Sequence, residues 1–177
     1  MRRTSALVAC LLLALTGCGG SESAEGDEAM IDWNLSQSHT MDDVDWPKPD
    51  LSAVEISPVE QVRIELPQGR SFESDGDTVH DITLDRRGRT VRNVQIDSHP
   101  RSAAEAHELA VRWAEEWELS RVPLDRWRDG AAKTPAITSG RPVERIGDGG
   151  PVPVVEIRNS FQDENPALVS LQFFWPD

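Results

Sequence analysis

The chain of 177 residues contains no tyrosine, only two cysteines and only four histidines. Lysine occurs only at Lys48 and Lys133, so arginine carries almost all of the positive charge. Two cysteines are too few for a disulfide framework or a cysteine-ligated metal site of the usual spacing. No apolar run reaches the about 20 residues that a membrane-spanning helix needs. Positive charge is also scarce: 18 basic against 31 acidic residues leave a formal net charge of -13. That balance excludes nucleic acid as a partner, because phosphate backbones demand a basic footprint. The acidity is uneven. From Cys18 to Glu60 there are eleven acids against Lys48 alone, whereas from Gln61 onward twenty acids face fifteen bases.

The longest apolar stretch, Ala6 to Leu15, follows Arg2 and Arg3. A positive start, a short apolar run and small residues thereafter describe a secretory signal. Leu15-Thr16-Gly17-Cys18 resembles the lipobox of bacterial lipoproteins. The resemblance implies that residues 1–17 are a signal peptide and that Cys18 is lipidated and becomes the first mature residue. Cys10 then leaves with the signal, so thiol chemistry and disulfides are not expected in the mature chain. Two acyl chains would give lasting attachment, since one alone binds a bilayer marginally. The expected location is the extracytoplasmic side of the cell membrane, or an outer membrane where the host has two. The expected partners are that membrane, through the lipid, and a protein.

Residues 18–58 read as an acidic tether. Gly19 to Gly26 is small, polar and acidic, and buries too little apolar surface to repay ordering. Within it, Ile31, Trp33, Leu35, Met41, Val44 and Trp46 stand out. Large apolar residues do not belong in a solvated linker, so residues 30–47 are expected to dock. Docking on this protein's own domain is favoured, and Trp33 and Trp46 are the candidate contacts if the segment docks on a partner instead.

Residues 59–177 are expected to form one α+β domain: one antiparallel sheet with a single long helix packed on one face. Val62, Ile64 and Leu66 alternate with polar residues as a half-buried strand does. Ile82 to Leu84 is a second strand, and Val91, Val94 and Ile96 form a third whose phase slip calls for a bulge. Ser102 and Glu105 make a capping box. Behind it Ala106, Leu109, Ala110, Trp113 and Trp117 fall on one helical stripe. Pro123 to Arg128 suggests one more helical turn, and residues 143–146 a brief strand. Val155, Ile157 and Phe161 mark a strand that Pro151 and Pro153 place at an edge or an entry. Val169, Leu171, Phe173 and Trp175 close the chain with strict alternation.

Chemistry is sparse. His107-Glu108 lacks the second histidine of H-E-x-x-H, and Glu73 to Asp77 opens like a calcium loop but has Thr78 and Leu84 where glycine and glutamate belong. Asp97-Ser98-His99 joins the residue types of a hydrolytic triad, yet residues adjacent in sequence point in different directions, and a strand-to-helix loop leading to Pro100 accounts for them. No catalytic residue, metal ligand or cofactor is therefore expected. Trp113, Trp117, Trp127 and Trp175 suit a core better than a sugar groove. Three function classes remain: a non-enzymatic envelope module binding a protein or ligand; an immunity or inhibitor lipoprotein complementing a basic exported toxin or enzyme; and, as the weakest, a hydrolase using residues 97–99.

Overall fold

A computed structural model describes residues 29–47, 50–129, 136–139, 145–159 and 166–176, with 136–139 and 159 described through the backbone alone. In chain order the elements are β1 (Ala29–Asn34), β2 (Ala53–Ile56), β3 (Val59–Leu66), β4 (Arg70–Asp75), β5 (Val79–Arg87), β6 (Thr90–Ser98), α1 (Ala103–Glu116), α2 (Val122–Asp129), β7 (Ala136–Ser139), β8 (Val152–Asn159) and β9 (Ala167–Phe174). The protein is α+β.

The strands form two sheets, not the single sheet expected. A small sheet has the order β1-β3-β4, and a large one β2-β5-β6-β9-β8-β7. All described pairs of the large sheet are antiparallel. β1 runs parallel to β3, with Trp33 opposite Ile64. The helix count is corrected too: Val122–Asp129 is a helix of eight residues, packed on α1.

Period-2 alternation decides which face each strand buries. Ile82, Leu84, Val94, Ile96, Val155, Ile157, Leu171 and Phe173 point to the inner face of the large sheet and are buried. Two layers share that face. α1 lies over β8 and β9, presenting Leu109, Ala110 and Trp113, while β3 of the small sheet lies against β5. Phe72 of β4 stands where the layers meet, edge-on to Trp113 at 5.9 Å and to Phe173 at 6.3 Å. Ser102 caps α1 as expected: its Oγ accepts from the Glu105 amide, and the Glu105 carboxylate accepts from the Ser102 amide at 3.0 Å.

The folded part of the chain begins earlier than the expected boundary at Val59. Residues 29–34 and 53–56 are strands of the two sheets, and Ile31, Trp33, Leu35, Val44 and Trp46 belong to the same buried cluster as Phe173. The intervening segment is pinned to the β5–β6 hairpin by backbone bonds from Val91 to His39 and from Met41 to Arg89. Cys18 and the rest of residues 1–28 lie outside the described residues, as do Phe161 and residues 143 and 144.

Two smaller expectations resolve through register. The bulge in β6 falls at Arg92, since Asp85 pairs with Asn93 and Arg86 with Val91. β8 is an interior strand, but β7 pairs only with Val154 to Ile157. Pro153 therefore sits at the strand entry, where its missing N–H interrupts no bond to β7.

Candidate functional site

The outer face of the large sheet carries a network of polar side chains that spans four strands. Register places Asp81, Asp97, Ser170 and Glu156 of β5, β6, β9 and β8 side by side in one row. The next row contains Glu55, Thr83, Gln95 and Gln172. Among the described residues, no helix or strand is stacked on this face.

Arg158 organises one half of the network. Its guanidinium donates to Ser170 Oγ at 2.8 Å and lies 3.1 Å from Glu156 and 3.8 Å from Asp97. Ser170 Oγ in turn donates to Asp97 Oδ1, and Gln95 donates to the other Asp97 oxygen at 2.7 Å. Only 14% of the Asp97 side chain is exposed, so these bonds replace most of its water. The other half is poorer in cations. Burial first, then the charges of Asp97 and Glu55, push the Asp81 carboxyl up to about 6, with Arg158 opposing least. A carboxyl raised to about 6 by burial and neighbouring acids is a candidate for binding or proton transfer. Ser170, the hydroxyl within reach, is fully buried and engaged as both donor and acceptor, so it is no exposed nucleophile.

The candidate triad does not converge. Asp97 faces outward. Ser98 faces the core, buried, with its Oγ accepting from the Val169 amide at 3.0 Å and donating to the His99 carbonyl. His99 lies at the end of the strand, its Nε2 bonded to the Gly76 carbonyl at 2.8 Å. The hydrolase reading loses its geometry here. His99 does line a cleft of about 350 Å³ with Glu60, Asp75, Asp77 and His80, the two imidazoles 4.9 Å apart. Among the described residues, no group of three or more His, Cys, Asp or Glu is arranged to hold a metal ion. Asp75 instead closes a turn by accepting the Thr78 amide. His107 is likewise internal, with Nε2 3.3 Å from Asp125 across the α1–α2 contact.

Trp33 and Trp46, the candidate partner contacts, are 4% and 8% exposed, among this chain's own side chains. The Arg86 guanidinium lies 5.4 Å from the Trp46 ring centroid and helps to cover it. Trp113, Trp117, Trp127 and Trp175 are also buried. The Asp81–Arg158 network escaped sequence reasoning because its members come from four strands. Its only local trace is the polar parity of Asp81, Thr83 and Asp85 between apolar neighbours.

Compared with known proteins, the chain matches no family model, no curated protein and no solved structure.

Proposed function

We propose that this is a lipid-anchored envelope protein, attached through Cys18 on the extracytoplasmic side, whose folded part is a non-enzymatic binding module. The anchoring half rests on Leu15-Thr16-Gly17-Cys18 behind a charged and apolar leader. The binding half rests on one observation: the polar outer face of the large sheet, networked side chain to side chain, carries no stacked element among the described residues. Ten residues separate Cys18 from Ala29, so the two can lie at most about 40 Å apart. The module would thus work close to the bilayer.

A second reading, an inhibitor or immunity protein against a basic exported partner, is supported by the acids of the same face. Glu55, Asp81, Asp97 and Glu156 share it with Arg158. An arriving guanidinium or ammonium would stabilise the Asp81 carboxylate that its neighbours disfavour.

Acyl labelling of the intact chain and of Cys18→Ala tests the anchor: label and membrane retention should disappear together in the variant. A photo-crosslinker at Thr83 tests the face. Capture of a discrete partner on the producing cell's membranes, abolished by Glu55→Arg with Asp81→Arg, is expected. Capture unaffected by both reversals would reject the sheet face as the binding surface.

A further inference from the structure

The outer face of the large sheet is divided between two chemistries. Its β2–β5–β6 side is acidic: Asp81 lies opposite Asp97, with Glu55 of β2 in the next row. Its β8–β9 side is partly apolar. There Phe174 and Val154 point outward and are half-buried, and Arg92 covers one side of the Phe174 ring at 5.4 Å from its centroid. The paired amides of Gln95 and Gln172 separate the two sides. The acids are unequally served. Asp97 has Ser170, Gln95 and Arg158 around it, whereas no hydrogen bond or ion pair among the described residues reaches the Asp81 carboxylate.

The strands beneath these side chains have no backbone groups to offer. The N–H and C=O groups of β5, β6, β9 and β8 lie in the plane of the sheet and face strands on both sides. A segment arriving on this face must therefore satisfy its own backbone, which an α-helix does and an extended strand does not. α1 lies on the inner face in the same way. Dimensions agree. Phe174 on β9 and Asp81 on β5 are two strand spacings apart, about 10 Å across the sheet, and a helix with its side chains is about 10–12 Å wide. Along a strand, side chains of one face recur about every 6.8 Å, close to the rise of about 6 Å between helical positions i and i+4.

We infer that this face takes a basic amphipathic helix of a partner protein, with its apolar stripe on Phe174 and Val154 and its Arg or Lys flank over Asp81 and Glu55. The inference rests on the binding-module reading and supplies the kind of partner. A cation on that flank would stand to Asp81 as Arg158 stands to Asp97, and complementary charge would fix the direction of docking. The net charge of -13 would steer a basic helix toward the chain.

The test is calorimetric titration of the full chain, in non-ionic detergent, with three synthetic peptides of equal length. The first places leucines at i, i+3, i+4 and i+7 with arginines along one flank. The second scrambles the same residues, and the third has a central proline. Saturable binding of the first is expected, with helix appearing in its circular dichroism, and at least tenfold weaker binding of the other two. Asp81→Arg, Phe174→Ser and Val154→Thr should each weaken the first peptide's binding at least tenfold, and Arg63→Gln on the small sheet should leave it unchanged. Matching unfolding temperatures verify that the variants are folded, and Val154→Thr keeps a β-branched residue in case Phe174→Ser does not fold. Equal binding of all three peptides, or binding indifferent to Asp81→Arg, would overturn the inference. Capture of a partner by the Thr83 crosslinker, with the three peptides binding alike, would remove the helix and leave the face as a binding surface. Self-association of the chain alone, abolished by Asp81→Arg, would make a second copy the occupant and overturn the partner.

Discussion

Asp81 and Asp97 sit directly opposite each other on neighbouring antiparallel strands, on the one face of the large sheet that no described element covers. Like charges in that relationship destabilise a sheet unless one is neutralised or a cation intervenes. Arg158 serves Asp97 at 3.8 Å, while burial first, and then the charges of Asp97 and Glu55, push Asp81 up to about 6 against an ordinary 3.8.

A pH dependence follows. A carboxyl whose pKa is higher in the folded state stabilises the fold while protonated, and that contribution fades as pH rises from about 4 to about 6. Asp81→Asn should abolish this segment of the stability profile. It should exceed the parent chain at pH 7.5 by about 1 kcal/mol, allowing for solvent screening of a half-buried group, and match it near pH 4. Chemical unfolding of both chains across pH 4 to 8 measures the difference. Identical profiles would mean that neither burial nor the charges of Asp97 and Glu55 disfavour the Asp81 carboxylate.

Trp33 anchors β1 against the core, so Trp33→Ala should cost about 3–5 kcal/mol, in the range for large buried side chains. A chain beginning at Val59 would lose more, because β3 would lose its parallel neighbour and β5 its β2 partner. Such a chain is expected to lack a cooperative thermal transition. If it instead unfolded at the temperature of the full chain, residues 29–58 would be dispensable to the fold.

Phe72 and Trp113 join the small sheet to α1 through an edge-on contact at 5.9 Å. Each truncation to alanine should destabilise by about 3–5 kcal/mol, and the double variant by less than the sum, with a coupling of about 0.5–1.5 kcal/mol. Denaturant titration of the four chains completes the cycle. Strict additivity would show that the rings act independently, leaving the junction to other contacts.

The elements most legible from sequence are those whose cause is local. Ser102 and Glu105 announce α1 because a capping box is closed within four residues, and the stripe from Ala106 to Trp117 identifies its buried side. Strict alternation marks β3 and β9, and the missing phase between Val91 and Val94 places a bulge that the register confirms at Arg92. Ile31, Trp33 and Leu35 alternate just as clearly, but the acids around them read as tether. β4 offers only Phe72 as a buried apolar residue, too weak a period to separate it from a loop.

By itself, then, the sequence determined helix, strand and buried face wherever periodicity or capping acts over a few residues, and it carried the lipobox resemblance that directs the anchoring proposal. Tertiary structure alone decided that β1 runs parallel to β3, that two sheets share one core, and that Asp81, Asp97, Ser170, Glu156 and Arg158 meet. The reason is physical. A side chain's parity records that it will be covered, whereas the choice of covering layer and the neighbours in a cross-strand row depend on pairings among segments distant along the chain, for which no local pattern of residues is diagnostic.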